Sequence, residues 1–167
     1  MKSLQPPGAI RNDGRVNEPQ KTANDNGAGA WVETRQRVRY AETDQMGVVY
    51  YANYLVWFEV GRVEYFRAQG FSYRQLEQEE DCLLPVVEAR CRYRAPARYD
   101  DRIVIRSRIS ERHGVRLHFE YEITRVTDGQ LLATGHTVHV FVDRKFEPRE
   151  PPERVQRRLD AMIESAP

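Results

Sequence analysis

The apolar positions of the chain follow a helical period in one long segment and a period of two in most of the remainder. The helical segment runs from residue 51 to residue 69 without a proline, and apolar residues cover most of its circumference. One face carries Leu55, Phe58, Arg62 and Phe66, with Tyr54, Trp57, Gly61 and Tyr65 beside them. Such a helix is predicted to be buried on several sides.

Gly61 lies inside this helix, where glycine costs roughly 0.5–1 kcal/mol relative to alanine. Close approach to another backbone would account for its presence. Gly70 is a suitable C-terminal stop, and Ser72 is predicted to cap a second, short helix over residues 73–80.

Alternation of apolar and polar residues predicts five strands. The first, residues 34–41, precedes the long helix and has Val38 and Tyr40 on its apolar side. The apolar sides of the next three carry Val87, Ala89, Cys91 and Tyr93; Ile103, Ile105, Ser107 and Ile109; and Val115, Leu117, Phe119, Tyr121 and Ile123. The last, residues 131–142, is apolar on both faces, as expected near the middle of a sheet or at a subunit contact. The Asp128-Gly129 pair before it is a strong hairpin signal.

The order of one strand, one long apolar helix and four further strands predicts an α+β domain over residues 31–150. A five-stranded antiparallel sheet has one face that needs covering, and the long helix is the natural cover, so the sheet is predicted to wrap round it. Residues 151–167 are predicted to form a C-terminal surface helix and tail, because Val155, Leu159 and Ile163 have helical spacing.

Residues 1–30 contain few apolar side chains and many Pro, Gly and Asn residues. A segment of this composition cannot bury enough apolar surface to offset the entropy lost on ordering it. It is predicted to be a flexible or weakly docked tail.

Composition narrows the classes of function. The formal net charge of +1 gives no reason to expect nucleic acid or an anionic membrane as the main partner. No long apolar run predicts a membrane span, and the N-terminus lacks the apolar core of a secretory signal, so a cytoplasmic location is expected. Cys82 and Cys91 are too few for a disulfide framework, and Cys91 is expected to be a small buried hydrophobe.

The stretch VRYAETDQMGVVYYANYLVWFEVGRVEYFRAQG resembles the signature of the hotdog-fold acyl-CoA thioesterases, in particular the 4-hydroxybenzoyl-CoA thioesterase and YbgC-like group. The motif within it is Asp44-x-x-Gly47-Val48-Val49-Tyr50-x-x-Asn53-Tyr54. The resemblance implies a hotdog fold, in which two protomers pair edge to edge into one continuous sheet and dimers often assemble into tetramers. It also implies that active sites lie at the dimer interface.

The resemblance further implies that Asp44 is the catalytic carboxylate and that the backbone N–H of Tyr51 polarises the thioester carbonyl. The remaining motif residues are candidates for substrate contacts: Gly47, Val48, Val49, Tyr50, Asn53 and Tyr54. Tyr51 stands where many YbgC-like members carry histidine. That difference is tolerable if the chemistry needs only the backbone N–H, and it puts mechanism or rate in doubt if the histidine assists.

These residues suit thioester hydrolysis. A thiolate is a good leaving group, so one carboxylate can suffice, either by attacking the thioester or by activating water, and the sequence leaves both routes open. Gly47 allows a sharp turn that lets Asp44 face the start of the helix. The free N–H groups there carry roughly half a positive charge and can stabilise an oxyanion.

Other interpretations of these residues stay open. Asp44 could merely cap a turn, and Asn53 and Tyr54 could be a cap and a core aromatic. Glu59 could be the catalyst, because another thioesterase branch uses a helix glutamate. Ion pairs of Glu59 with Arg62 and of Glu64 with Arg67 are favoured instead, because each pair is three residues apart on the helix.

The sequence therefore predicts a homodimeric or homotetrameric acyl-CoA thioesterase that releases CoA and a free acid, without cofactor or metal. Acyl carrier protein is an alternative thiol carrier. The alternative function is a hotdog module that binds acyl-CoA or acyl carrier protein without hydrolysis; a hydratase is disfavoured because the Asp44 loop holds no histidine. Candidates for binding CoA phosphates, or for a solvated sheet face, are Arg90, Arg92, Arg94, Arg102, Arg106 and Arg108.

Overall fold

The computed structural model describes residues 20–22, 29–79 and 81–164. The strands are β1 (Gln20–Thr22), β2 (Trp31–Arg37), β3 (Val86–Tyr93), β4 (Arg102–His113), β5 (Arg116–Arg125) and β6 (Leu131–Val140). The helices are α1 (Asn53–Ala68), α2 (Tyr73–Glu79) and α3 (Glu153–Glu164), and a 3₁₀ turn, Tyr40–Glu42, lies between β2 and α1. Within the described ranges, no helix has both the length and the apolar character needed to span a membrane.

The strands form an antiparallel sheet in the order β1-β2-β4-β5-β6-β3. The five predicted strands correspond to β2 through β6, and the prediction of an α+β hotdog fold, with an antiparallel sheet around one long helix, is confirmed. Strand β1 is an addition on the β2 edge, and it falls within the segment predicted to be a tail. The rest of the 1–30 prediction lies outside the described residues, except that Gly29 N–H donates to Ile109 O at 2.9 Å.

The first strand begins and ends earlier than predicted. Strand β2 covers Trp31–Arg37, whereas alternation predicted 34–41. The chain leaves the sheet at Val38, whose N–H donates to Asp101 O at 2.9 Å, and then turns into the 3₁₀ segment. Tyr40 is consequently exposed and packs edge-on against Tyr99 rather than facing the core.

Helix α1 packs one of its sides against a face of the sheet, mainly at β2 and β4. Its buried residues are Tyr54, Trp57, Phe58, Gly61, Tyr65 and Phe66. The Phe58 ring stacks on Tyr121 of β5, with centroids 4.4 Å apart. The opposite side of the helix is open in the protomer, where Leu55 is 38% exposed and Val56 46%. The predicted burial on several sides is therefore wrong for the isolated protomer, because one sheet reaches only one side of the helix.

Gly61 marks the closest approach between α1 and β4. A Cβ atom at this position would lie 2.3 Å from Ser107 Oγ and 2.7 Å from Ile105 Cγ2. Both distances are shorter than van der Waals contact, so Gly61 does permit a close approach, but to side chains of β4 and not to another backbone as predicted.

Strand β3 differs from its prediction as a half-buried strand. Alternation placed Val87, Ala89, Cys91 and Tyr93 on an apolar side that faces the core. In the protomer most of this side is exposed, Val87 by 54% and Tyr93 by 46%, and only Cys91 is half-buried. The reason is topological: β3 is the last strand of the sheet and lies largely beyond the reach of α1.

The two shorter helices are close to their predictions. Ser72 caps α2, since Gln75 N–H donates to Ser72 Oγ at 3.2 Å. Helix α3 buries Val155, Leu159 and Met162. Helix α3 is also bound to β4 by an ion pair. The guanidinium of Arg112 on β4 donates to both carboxylate oxygens of Asp160 on α3, at 2.9 and 3.0 Å.

Candidate active site

The Asp44 loop joins the 3₁₀ turn to α1 and closes on itself. Thr43 and Val49 form an antiparallel bridge, and Asp44 N–H donates to Val48 O at 2.9 Å. Gly47 turns the chain with φ of +72°, a conformation that glycine adopts without steric cost, and its N–H donates to Asp44 O at 3.0 Å. Gly47 thus serves the turn, as its position in the motif predicted.

The carboxylate of Asp44 is half-buried and only partly used by the loop. Oδ1 accepts a hydrogen bond from Met46 N–H at 2.8 Å, so Asp44 does make an Asx turn of the kind considered from the sequence. Oδ2 accepts no hydrogen bond from the residues that the structure describes. One oxygen therefore fixes the side chain while the other stays available for chemistry.

The start of α1 leaves backbone donors free. The helix begins at Asn53, and the preceding turn is closed by Asn53 N–H to Tyr50 O at 2.9 Å and by Tyr54 N–H to Tyr51 O at 3.3 Å. The N–H groups of Tyr51 and Ala52 donate to no acceptor in the described part of the chain. Free donors at a helix start carry positive partial charge and suit an oxyanion.

Asp44 and Tyr51 line the same cleft, which has a volume of about 340 Å³. Val48, Val49 and Tyr54, also predicted as site residues, line it as well. The cleft is completed by Met46, Tyr93, Arg94, Ala95 and Pro96. These five were not selected from the sequence as residues of an Asp44 site, and four of them come from the end of β3 and the segment after it.

Three predicted substrate contacts lie outside the lining of this cleft. Gly47 forms the turn, and Tyr50 packs its ring against Tyr51, with centroids 4.5 Å apart. Asn53 Nδ2–H donates to Glu42 O at 2.8 Å, so its side chain binds the base of the loop to the start of α1.

Two tyrosines of the cleft make hydrogen bonds to the backbone of neighbouring segments. Tyr54 OH accepts a hydrogen bond from Ala97 N–H at 3.1 Å, and burial raises the pKa of Tyr54. Tyr93 OH donates to Tyr51 O at 3.0 Å. Burial, together with a hydrogen bond to Cys91, raises the pKa of Tyr93 to about 12, so its hydroxyl remains a donor at neutral pH.

Glu42 is a functional candidate that the sequence analysis missed. It is only 2% exposed, and Trp57 Nε1–H donates to its Oε1 at 3.1 Å. Burial raises the pKa of the Glu42 carboxyl, but hydrogen bonds from Arg39 and Trp57 outweigh burial and hold that pKa below its usual value. The available signal was the three-residue spacing of Arg39 and Glu42, because the Glu42 carboxylate accepts the Arg39 N–H across the 3₁₀ turn.

The two helix glutamates differ from each other. Glu64 pairs with Arg67 as predicted. Glu59 is exposed and forms no ion pair with any described residue, so the predicted Glu59–Arg62 pair is wrong. Arg62 instead donates to Tyr73 OH at 2.6 Å and contacts His139 Nδ1 at 3.2 Å, because its side chain lies under the sheet. Glu59 does not line the Asp44 cleft.

Of the six strand arginines considered for CoA phosphates, only Arg94 lines the cleft that contains Asp44. Arg90, Arg92 and Arg102 line other pockets.

Arg106 and Arg108 form ion pairs with Glu122 and Glu120, both at 2.8 Å, and both guanidinium groups stack on Trp31. The guanidinium groups of Arg106 and Arg108 are therefore bound to neighbouring side chains on the outer face of the sheet.

The sequence profile of the thioesterase-like superfamily matches residues 38–159. The chain belongs to this superfamily. The match spans the 3₁₀ turn, the Asp44 loop, the long helix and the whole of β3 to β6. This match confirms the predicted resemblance to the hotdog thioesterases. The assignment of the chain to the thioester hydrolases is confirmed by relatives named acyl-CoA thioester hydrolase and acyl-CoA thioesterase, at 35% and 36% identity.

Individual relatives agree with this membership. YneP of Bacillus subtilis is 40% identical over 112 residues, which are 66% of this chain and 80% of YneP. The acyl-CoA thioester hydrolase YbgC of Escherichia coli is 35% identical over 120 residues, covering 71% of this chain and 88% of YbgC. Among solved structures, a DHNA-CoA thioesterase from Staphylococcus aureus has a TM-score of 0.68 and 32% identity, covering 72% of this chain and 80% of that chain.

Proposed function

We propose that this chain hydrolyses an acyl-CoA thioester to a free carboxylic acid and CoA, with Asp44 as the catalytic carboxylate and the Tyr51 N–H as oxyanion donor. The observation that carries the proposal is the shared cleft of Asp44 and Tyr51, in which one carboxylate oxygen and one backbone donor are both free of described partners. The name of the E. coli relative, an acyl-CoA thioester hydrolase, supports the same substrate class.

In the proposed reaction both groups act on the thioester carbonyl, Tyr51 N–H at its oxygen and Asp44 at its carbon, either directly or through water. The carbonyl oxygen accepts a hydrogen bond from Tyr51 N–H, which stabilises the negative charge that develops during attack. In one route Asp44 Oδ2 attacks the carbonyl carbon, CoA thiolate leaves, and water then hydrolyses the mixed anhydride. In the other, Asp44 takes a proton from an attacking water and the thiolate leaves from the tetrahedral intermediate.

The rest of the cleft suits the two ends of the substrate. Met46, Val48 and Tyr93 present apolar surface for an acyl group in this cleft. Arg94, at the rim of the same cleft, carries the charge that a CoA phosphate would pair with. The acyl group itself, aromatic or aliphatic, is left to a substrate screen, and acyl carrier protein remains the alternative carrier.

The open edge of the sheet supports a homo-oligomeric enzyme. Among the residues that the structure describes, β3 pairs with β6 on one edge only. An exposed edge strand with apolar side chains is a template for pairing with another chain. Val86, Val87 and Tyr93 on this strand and Leu55 and Val56 on α1 are all substantially exposed. We propose that a second protomer pairs along β3, which would place the Tyr93 wall of the cleft at the interface. A tetramer would follow from pairing of two such dimers.

The proposal is tested by free-thiol release over a panel of acyl-CoA substrates with the Asp44→Asn variant. We expect kcat to fall by about 10²–10⁴-fold, the range typical of a positioned general base, because the amide is neither a base nor a nucleophile. Glu59→Gln is the matched control, and it also tests the alternative in which the helix glutamate is the catalyst. Turnover by Asp44→Asn close to that of the wild type would remove Asp44 from the mechanism.

The same panel separates hydrolysis from binding alone. A wild-type protein that binds acyl-CoA in calorimetry but releases no thiol with any chain length would be the non-hydrolytic binding module. Release of thiol with at least one substrate would exclude that alternative.

A further inference from the structure

Glu42 lies at the base of the Asp44 loop, two residues before Asp44, and its side chain is almost completely buried. Burying a carboxylate is costly unless it is well hydrogen-bonded. The buried charge of Glu42 therefore depends on its hydrogen-bond partners.

The Glu42 carboxylate is held by two segments of the chain. Oε2 accepts a hydrogen bond from Arg39 N–H at 2.7 Å, and Oε1 accepts one from Arg39 Nη2 at 3.2 Å. Oε1 also accepts the indole N–H of Trp57 at 3.1 Å. Trp57 is fully buried in the second turn of α1, so this bond joins the loop base to the body of the helix.

The backbone carbonyl of Glu42 makes a second connection to the same helix. It accepts Tyr50 N–H at 2.9 Å and Asn53 Nδ2–H at 2.8 Å. Tyr50 directly precedes Tyr51, and Asn53 is the first residue of α1. One residue thus binds the strand side of the loop, through Arg39, and the helix side, through Tyr50, Asn53 and Trp57.

We propose that Glu42 is a positioning residue that sets the distance between the Asp44 carboxylate and the Tyr51 N–H. Asp44 follows Glu42 on one arm of the loop, and Tyr51 follows Tyr50 on the other, so Glu42 is the point at which both arms are tied to α1. This inference rests on the proposed function. Misplacement of reacting groups by about 1 Å can lower the rate about 10²-fold. Loss of the Glu42 contacts would therefore slow the reaction.

If Glu42 only stabilises the fold, its variants should behave differently. Loss of a buried hydrogen-bonded carboxylate would then lower stability, and the folded fraction of the variant would work normally. A positioning Glu42 lowers kcat in fully folded protein, acts through Asp44, and loosens the loop without loosening the sheet.

The test compares Glu42→Gln and Trp57→Phe in the wild-type and Asp44→Asn backgrounds. Glu42→Gln keeps the size of the side chain and removes its charge. Trp57→Phe keeps an aromatic ring but removes the indole N–H. It therefore tests the same hydrogen bond if the loss of charge in Glu42→Gln hinders folding. Glu59→Gln, an exposed glutamate of the same helix, is the control. Each protein is assayed for thiol release at a temperature well below its unfolding midpoint.

We expect each variant to lower kcat by about 10–100-fold, with KM within about twofold of the wild type. In the Asp44→Asn background neither variant should lower the residual rate further, because a residue that acts through Asp44 has nothing left to position. Equal losses in both backgrounds, or an unchanged kcat, would overturn the proposal.

Amide hydrogen exchange gives a readout that does not depend on turnover. Glu42→Gln should speed exchange in residues 43–53 while the peptides of β5 exchange as in the wild type. Unchanged protection in residues 43–53 would overturn the anchoring role, whether or not the wild type is active. A wild type that releases no thiol would instead reject the proposed function, and the exchange data would still decide the role of Glu42.

Discussion

At the scale of single residues, His139 and Arg62 form a polar chain inside the core. Arg62 donates to His139 Nδ1 at 3.2 Å, so we assign the ring hydrogen to Nε2, which contacts Thr137 Oγ1 at 2.7 Å. Thr137 in turn contacts the buried Tyr121 hydroxyl at 2.9 Å. Burial lowers the pKa of His139 from its ordinary 6.5 to about 3, and the neighbouring Arg62 charge adds to this effect. The histidine is therefore neutral in the folded protein.

This pKa predicts an acid sensitivity that begins at a higher pH than the range where carboxylates titrate. Between pH 6.5 and 3 the unfolded chain binds a proton at His139 that the folded protein does not. The contribution of His139 to the free energy of unfolding is therefore complete above pH 6.5. It falls as the pH drops, with a slope of up to about 1.4 kcal/mol per pH unit. Urea unfolding from pH 7 to pH 4.5 measures it.

The variant His139→Gln isolates the effect of His139. We expect it to lower stability at pH 7 but to reduce the slope between pH 6.5 and 4.5, because it cannot take up the proton. His113→Gln, which replaces an exposed histidine, should keep the wild-type slope. The same slope in His139→Gln as in the wild type would contradict the assignment.

At the scale of secondary structure, the contact of α1 with β4 depends on a missing side chain. Gly61→Ala should destabilise the protein by about 1–3 kcal/mol, although alanine favours a helix by about 1 kcal/mol over glycine. The reason is that the new methyl group would overlap Ser107 Oγ and Ile105 Cγ2. Denaturant unfolding measures this, with Glu59→Ala, at an exposed polar residue of the same helix, as control. A more stable Gly61→Ala variant would show that the two elements separate at little cost.

At the scale of the whole molecule, the exposed apolar side of β3 predicts how the enzyme assembles. Val87→Asp should convert the proposed dimer to a monomer and abolish most thiol release, since the cleft wall formed by Tyr93 belongs to the same strand. Val126→Asp, at an exposed valine in the β5–β6 turn, is the matched control and should leave both unchanged. Sedimentation velocity measures the mass. A wild-type protein that sediments as a monomer, or a dimeric Val87→Asp variant, would reject pairing along β3.

Much of the fold and part of the site could be predicted before the structure. The alternation in β4 and β5 and the turn at Asp128-Gly129 are local signals that depend on neighbours in sequence. Asp44 and Tyr51 were predicted from the resemblance of one continuous stretch to the hotdog thioesterases, and in the structure both line one cleft. Tyr93 and Arg94 were not linked to Asp44, since β3 reaches the cleft only through the folding of the sheet.

The sequence by itself determined the periods of its segments, and hence the strands, the long helix and the order in which they occur, because backbone geometry turns a local pattern into a buried face. It also determined the Gly47 turn and the close approach at Gly61, which follow from the absence of a side chain. Only the tertiary structure decided which predicted faces are covered: the apolar side of β3 is exposed because that strand is the sheet edge. It also decided that Glu42 is buried under the Asp44 loop and that Arg62 binds His139 rather than Glu59. These contacts join residues distant in the chain, and their energies depend on burial that no local pattern specifies.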